Sequence, residues 1–338
     1  MTEEEYDIQH HRQITAKRNF EHVIFGHWKI KTWYFSPYPL VEGSEAEELA
    51  LAASQDQRIP GVRRTTVRSH GRTSDILAGG LGRAHTSGEK STLWVCDRCF
   101  KYMTEGSSWE LHTKKCSWKS PPGRKVYQRG AHIIWEVDGA KEKLYCQNLS
   151  LFGKLFIDIK TLYFDMENFM FYVLTDADSQ RDHVLGFFSK EKVSYDDYNL
   201  ACIVVLPPYQ RKGYGMLLIE FSYELSRRAG KVGTPERPLS DLGLRSYLTY
   251  WVSVLIRFFR ATSHVTVRCT LADIAQATNL RVEDAAFALN ECGLLLRRQT
   301  AGEDDGEQIV LVSREMVEVV ARDRGVKKMM MDMSHVLL

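Results

Sequence analysis

Four side chains around residue 100 carry the plainest chemistry in the chain: Cys96, Cys99, His112 and Cys116. Their spacing is C-x2-C-x12-H-x3-C, so two thiolates share a tight knuckle. The imidazole and the third thiolate then fall at i and i+4 on one helical face. Four soft-to-borderline donors in that arrangement suit a tetrahedral Zn2+ with no open position, which is a structural ion rather than a catalytic one. Ser107 with Glu110 has the form of a capping box and would start the ligand helix. A second stretch, Gln210-Arg211-Lys212-Gly213-Tyr214-Gly215, is built to hold an anion. Its glycines let an anion approach the main chain, the N–H groups at the start of the following helix lack partners, and Arg211 and Lys212 add positive charge. Each such contact is worth about 0.3–1 kcal/mol when exposed, so several must converge to hold a diphosphate.

The elements that position this turn are legible around it. Residues 200 to 206 form an apolar run, β-branched at Ile203, Val204 and Val205, which reads as a central, fully buried strand. Pro207 and Pro208 stop it, and the helix expected over 213 to 228 has Leu217, Leu218, Phe221 and Leu225 on its apolar side. Strands at about 168 to 175 and 183 to 190 precede it in a meander. Before these, residues 147 to 160 have a broad apolar helical face, and residues 126 to 146 alternate as a hairpin turning at Asp138-Gly139. Two short strands turning at Gly26-His27 have no core of their own and must pack on something later in the chain. Past the turn, a proline-rich loop (233 to 241) leads to an amphipathic helix over 241 to 259 that Ser240 is placed to cap. From 261 the pattern is helix, turn, helix, then an acidic stretch (Glu303, Asp304, Asp305) and a strand over 309 to 312. This resembles a winged helix. The second of those helices carries Arg281 beside Glu283, Asp284 and Glu291, so no sequence-specific DNA reading is expected and a packing or partner role fits better.

A chain of 338 residues can bury a sizeable core, and 44% apolar with 26% charged residues is ordinary for a globular protein. A formal charge of +2 is too small to argue for nucleic acid, so any basic binding must come from local patches. The Glu-rich start and the lack of a long apolar run argue against a signal peptide or a membrane span. Seven cysteines without a secretory signal read as reduced thiols and metal ligands in an intracellular protein. Residues 1 to 19 read as a polar tail. Residues 42 to 90 are poor in apolar side chains and carry Arg58, Arg63, Arg64, Arg68, Arg72 and Arg83. They bury too little to offset an ordering entropy of about 1–2 kcal/mol per residue, so a disordered basic insertion is expected. Its arginines fit a solvated linker, with a nucleosome or DNA contact or an import signal as the alternatives.

Several strings, in order, carry a resemblance: Trp-Tyr-Phe-Ser-Pro-Tyr-Pro (33 to 39), Lys-Leu-Phe-Ile-Asp-Ile-Lys-Thr-Leu-Tyr-Phe-Asp (154 to 165), Gly-Phe-Phe-Ser-Lys-Glu-Lys (186 to 192), Leu-Pro-Pro-Tyr-Gln-Arg-Lys-Gly-Tyr-Gly (206 to 215) and Pro-Glu-Arg-Pro-Leu-Ser-Asp-Leu-Gly (235 to 243). The turn resembles the acetyl-CoA pyrophosphate loop of the Gcn5-related N-acetyltransferase superfamily. The whole set is similar to the MYST family of histone acetyltransferases, and most like its fungal something-about-silencing branch. The likeness covers about 18 to 41 and 91 to 322. It implies an α+β fold with three parts: a C2HC zinc-finger module (20 to 41 and 91 to 132), an acetyl-CoA-binding core (133 to 260) and a winged-helix-like module (261 to 338).

Acetyl-CoA would then be the co-substrate, contacted by main-chain groups of Ile203 and Val205, by Gln210, Arg211, Lys212, Gly213, Tyr214, Gly215 and Met216, and by Ser240 near the thioester. The resemblance makes Glu236 the general base, with partial burial to raise its pKa, because a lysine must lose a proton before it attacks. Cys202 matches a residue read either as a nucleophile or as a wall of the pocket, and direct transfer in a ternary complex is favoured. Lys154 matches a lysine acetylated in cis, its plainer reading being a helix-surface lysine. Val205 stands where Thr is frequent and Met216 where Lys is frequent, which implies weaker acetyl-CoA affinity. The implied substrate is a histone tail, that of H4 on a nucleosome, in the nucleus and together with accessory subunits of a chromatin-modifying complex. Two other readings stay open: a catalytically weak nucleosome-binding subunit, and an N-acetyltransferase of polyamines or other small molecules.

Overall fold

The computed structural model describes residues 18–39, 92–158, 164–262, 270–294 and 312–338. The tail over 1–17, the insertion over 42–90 and the wing over 303–311 lie outside the described residues. The chain divides into two compact units, one of Met1–Pro121 with Glu142–Met166 and one of Pro122–Lys141 with Glu167–Leu338. No helix among the described residues is long and apolar enough to cross a membrane.

In the first unit, β1 (His22–Phe25) and β2 (Trp28–Lys31) pair across a turn at Gly26, as the sequence leads one to expect. β3 (Thr92–Val95) runs parallel to β1, and β4 (Tyr102–Met103) closes the order β2-β1-β3-β4. Strands this short need borrowed hydrophobic surface. They find it on α1 (Gly106–Lys115) and α2 (Lys143–Lys154). The Phe25 ring lies 5.4 Å from Phe100 and 4.6 Å from Phe152, and Tyr145 meets Phe100 edge-on at 5.6 Å. The carbonyl of Leu155, just past α2, accepts from the N–H groups of Trp33 and Tyr34 at 2.9 and 3.1 Å.

The second unit is a five-stranded antiparallel sheet, β5-β6-β7-β8-β9, with helices packed on it. Its strands are β5 (Arg124–Arg129), β6 (His132–Asp138), β7 (Phe169–Ala177), β8 (Asp182–Glu191) and β9 (Cys202–Val205). The hairpin is not where alternation suggested. It turns at Gly130, whose φ of +58° a glycine adopts at no cost, and not at Asp138-Gly139. Lys143 to Cys146, read as its second strand, open α2 instead, because Tyr145, Leu149 and Phe152 repeat at helical spacing and all are buried.

β9 also departs from expectation. It ends the sheet order and, among the described residues, has β8 as its one partner strand, and Cys202, Ile203 and Val205 are half-buried. An apolar run without alternation marks a strand with two apolar faces; it says nothing about whether both edges are bonded. Gly186 of β8 lets β9 come close, since a Cβ there would lie 2.5 Å from the Val204 carbonyl oxygen.

From β9 the chain enters α3 (Tyr214–Arg228), which is buried on two sides. Leu217, Leu218 and Phe221 pack with Tyr172 and Phe188 of the sheet, while Ile219 and Tyr223 face α4 (Asp241–Thr262). The Trp251 indole N–H donates to the Tyr223 hydroxyl at 2.7 Å. α5 (Leu271–Thr278), α6 (Val282–Glu291) and α7 (Arg314–Asp323) add Ile274, Ala285, Leu289 and Val317 to the same cluster as Trp251 and Leu255. The helix-turn-helix is thus present, turning at Asn279 in the left-handed region. After α7 the chain returns to the sheet, where Leu337 N–H donates to the Val126 carbonyl at 2.8 Å and Val336 bridges Tyr127. On the way, Met331 N–H donates to the buried Glu220 carboxylate at 2.7 Å.

Burial raises the Glu220 pKa above its ordinary 4.5, against the opposing pull of the Met331 and Met330 N–H groups and of Arg257. A raised carboxyl pKa means that folding favours the neutral acid. Its contribution is therefore complete at low pH and is lost as pH rises through the folded-state value. Glu220→Gln keeps an acceptor for Met331 but cannot ionise. In urea titrations across this range, the stability of the variant relative to wild type should increase with pH, and a gap that is constant with pH would refute this account.

Candidate active site and metal centre

The metal centre is local to the first unit. β3 runs into Cys96, and Phe100 N–H donates to the Cys96 carbonyl at 3.0 Å with Phe100 at φ +60°, which closes the knuckle. His112 lies on α1 and Cys116 ends it, its N–H donating to the His112 carbonyl at 2.8 Å. Trp109 of α1 bonds the Val95 carbonyl at 3.0 Å and packs on Trp94, so helix and knuckle are held in register. The expected capping box is not formed. The helix begins two residues earlier, at Gly106, behind Glu105, with no side-chain cap. Gly106 accommodates the Trp94 ring, which a Cβ would approach to 2.9 Å.

The ligand atoms of Cys96, Cys99, His112 and Cys116 lie within 4.8 Å of one another, with Cys99 Sγ 3.2 Å from His112 Nε2. The Cys96 thiol is pushed down to about 5, chiefly by its hydrogen bond with Cys99, whose own thiol is pushed up by the same contact. Three sulfurs and one imidazole nitrogen this close together fit the closed coordination of structural zinc.

The anion seat is in the second unit. A single 3-10 turn, Pro207–Tyr209, leaves β9, and the Gln210 side chain reaches back to donate to the Val205 carbonyl at 2.9 Å. Gln210 therefore fixes the turn to the strand. Arg211 (φ +62°) and Gly213 (φ +89°) reverse the chain into α3, which starts without a side-chain cap. The N–H groups of its first turn, Tyr214 to Met216, have no partner among the described residues. A Cβ on Gly215 would meet nothing nearer than Val205 Cγ2 at 3.8 Å, so the floor of the seat is open. Arg211 and Lys212 are exposed at its rim, with Lys212 Nζ 5.8 Å from the Tyr209 ring. On the other side Met330 abuts Gly213, and a Cβ there would lie 2.6 Å from the Met330 methyl. Tyr214 Oη lies 3.2 Å from His132 Nε2. Met216 packs partly buried against the Trp251 cluster, as its apolar side chain allows.

Glu236 arrives by backbone pairing. Asn199 N–H donates to the Thr234 carbonyl at 2.9 Å, and Glu236 N–H to the Leu200 carbonyl at 2.8 Å, just before Cys202 begins β9. Cys202 is half-buried and stands opposite Ser189 of β8. The expected partial burial of Glu236 is not found. Burial falls on Gly233, Thr234 and Pro235, and the chain turns outward at Glu236, which is exposed together with Arg237 and Pro238. Ser240 caps α4, its hydroxyl accepting from Gly243 N–H at 3.1 Å. Cys202, Ile203, Val205, the turn from Gln210 to Met216, Glu236 and Ser240 thus all belong to the second unit.

Lys154 belongs to the first unit and is not a surface residue. It is 7% exposed, its ammonium donating to the carbonyls of Ile157 and Asp158 at 3.2 and 2.8 Å and lying 5.5 Å from the Tyr34 ring. Burial lowers its pKa. Thr234, Asp284 and Met330 carried no signal in the sequence, because each matters through a partner distant along the chain.

Two family models match the chain. The model of the MOZ/SAS family matches residues 120–336, and that of the MYST family zinc finger domain matches 17–52 and 85–116. The chain is 39% identical over 285 residues to the histone acetyltransferase MOF of Drosophila melanogaster, covering 84% of this chain and 29% of that one. It is 38% identical over 293 residues to a putative MYST-like histone acetyltransferase of Oryza sativa subsp. japonica, covering 86% and 54%. To the Tip60 homolog of Caenorhabditis elegans it is 37% identical over 308 residues, covering 90% and 56%. The chain thus spans little more than half the length of these relatives, or less.

Purified protein should carry about one equivalent of zinc, and Cys99→Ala should lose both the metal and the ordered first unit. Metal analysis with thermal melting tests this. Full stability in a metal-free sample would overturn the assignment.

Proposed function

We propose that this chain, which belongs to the MOZ/SAS family, moves the acetyl group of acetyl-CoA to the ε-amino group of a lysine in a histone tail, that of H4. The observation that carries the reading is the uncapped start of α3, with Gly215 open and Arg211 and Lys212 at the rim, immediately after a strand whose preceding residues, Asn199 and Leu200, pair with the Glu236 loop. The N–H groups of Tyr214 to Met216 and the two cations hold the diphosphate, and the main chain of Ile203 and Val205 lines the acyl arm. The residues present fit this ligand: the turn carries two glycines, two exposed cations and the unpartnered N–H groups of a helix start.

Glu236 takes a proton from the incoming lysine ammonium, whose ordinary pKa is about 10.4. The free amine attacks the thioester carbonyl, a C–N bond forms, and the C–S bond breaks. The attacking nitrogen gives up a second proton as the amide forms, this proton passes to the departing sulfur, and CoA leaves as its thiol, with Ser240 as the hydroxyl that steadies it. Cys202 lines the pocket and need not bond the acetyl group, because a ternary complex already joins donor and acceptor. The exposure of Glu236 supports a base that is desolvated when the peptide docks, and with it a dependence on accessory subunits and the nucleosome. The Zn2+ held by Cys96, Cys99, His112 and Cys116 is structural. Acetylation of Lys154 would remove a charge from a buried site, which supports its modification. The site of action is the nucleus, α5 and α6 are the helix pair of a winged-helix-like module, and the chain is most like the fungal something-about-silencing branch.

With H4 peptide and labelled acetyl-CoA, Glu236→Gln should lower transfer by about 10²–10⁴-fold while leaving acetyl-CoA binding intact by calorimetry. Cys202→Ala should cost less than about tenfold. Transfer at the wild-type rate by Glu236→Gln, or preferential labelling of spermidine, would sink the proposal.

Gly213→Ala puts a Cβ at a φ of +89° and against Met330, so it should weaken acetyl-CoA binding by about tenfold or more without unfolding the unit. Calorimetric titration beside a thermal melt measures this. Unchanged affinity would mean that the turn does not hold the cofactor.

A further inference from the structure

We infer that Asp284 is a positioning residue for the Glu236 loop, holding from α6 the side chains that flank Glu236. The inference rests on the reading of Glu236 as the base. Asp284 is 1% exposed and sits in the first turn of α6. One carboxylate oxygen, Oδ2, accepts from the Thr234 hydroxyl at 2.8 Å, and the other, Oδ1, takes the Arg237 guanidinium. Thr234 precedes Glu236 by two residues and Arg237 follows it directly. A carboxylate this deeply buried is costly unless it is paired, and here both oxygens are used. Burial raises the Asp284 pKa, and Thr234, Arg237 and Arg281 oppose the rise.

The main chain supports the same geometry. Gly233 N–H donates to the Asn279 carbonyl at 3.1 Å and Gly233 bridges Leu280, while Pro235 bridges Leu200 on the opposite side. The segment from Gly233 to Glu236 is therefore strung between the start of β9 and the turn before α6. Beyond it, residues 236–238 are exposed and gain little from packing. The Arg237 tether to Asp284 holds the chain directly after Glu236, before Leu239 packs against the Trp251 cluster. A purely architectural carboxylate would tie α6 to the core through any convenient donors. Asp284 instead uses its two oxygens on residues either side of one acid, Thr234 two before it and Arg237 next after it, and a misplacement of that acid by about 1 Å can cost on the order of 100-fold in rate.

The test uses the full chain, an H4-tail peptide and acetyl-CoA, with Asp284→Asn as the near-isosteric variant and Thr234→Val as a second that cuts the other end of the tether. The expected result is a kcat lower by about 10–100-fold with KM for acetyl-CoA unchanged. The amides of Gly233, Thr234, Glu236 and Arg237 should exchange with deuterium about tenfold faster or more, while those of β7 and β8 keep their protection. Placed on Glu236→Gln, Asp284→Asn should add no further loss. Four results would overturn the inference: full kcat in folded Asp284→Asn, an equal loss in both backgrounds, unchanged exchange at 233–237, or global unfolding of both variants. Full activity of Glu236→Gln by itself would sink the base assignment instead, and exchange at 233–237 would still decide whether Asp284 holds the loop.

Discussion

The site depends on how the five-stranded sheet ends. β9 has a strand partner on one side, and its backbone must be completed at both ends by something other than a strand. At the Leu200 end the completion is the Glu236 N–H, and at the Val205 end it is the Gln210 amide. The two groups thus borrowed belong to the segments that carry the acid and the anion seat. Satisfying the edge of the sheet and assembling the site are therefore the same act, and neither segment could drift without leaving a main-chain carbonyl unpaired, at a cost of about 1–3 kcal/mol where it is buried.

α3 gives this arrangement its stiffness. It is clasped between Tyr172 and Phe188 of the sheet on one side and Tyr247 and Trp251 of α4 on the other, so its N-terminus has no slack. The helices after α4 share that second cluster, which makes them part of the same packed body as the anion seat. The four Cys and His donors, by contrast, are confined to the first unit, which also holds the Trp94–Trp109 contact and the Phe25–Phe100–Phe152 stack.

Much of this could be read from residue order, for identifiable reasons. The zinc ligands, the glycine turn and the Ser240 cap are local, and spacing reports local geometry well. The errors also share a cause. The apolar run over 200 to 206 reports two apolar faces, and nothing in hydropathy distinguishes an edge strand from a central one. Alternation over 126 to 146 fitted two hairpin registers, and the left-handed Gly130 decided between them. Ser107 and Glu110 had the right spacing for a cap, but the ring of Trp94 against Gly106 started the helix elsewhere. Asp284 looked like one more acid on a helix face, because its partners lie about fifty residues upstream.

The opposite margin of the sheet is also taken. Residues 336 and 337 lie along Val126 and Tyr127 of β5, filling main-chain positions that an extended polypeptide could otherwise occupy. Recognition by strand addition is therefore blocked there. Along that stretch, any partner has to be met by side chains, which mutation can retune without disturbing the sheet.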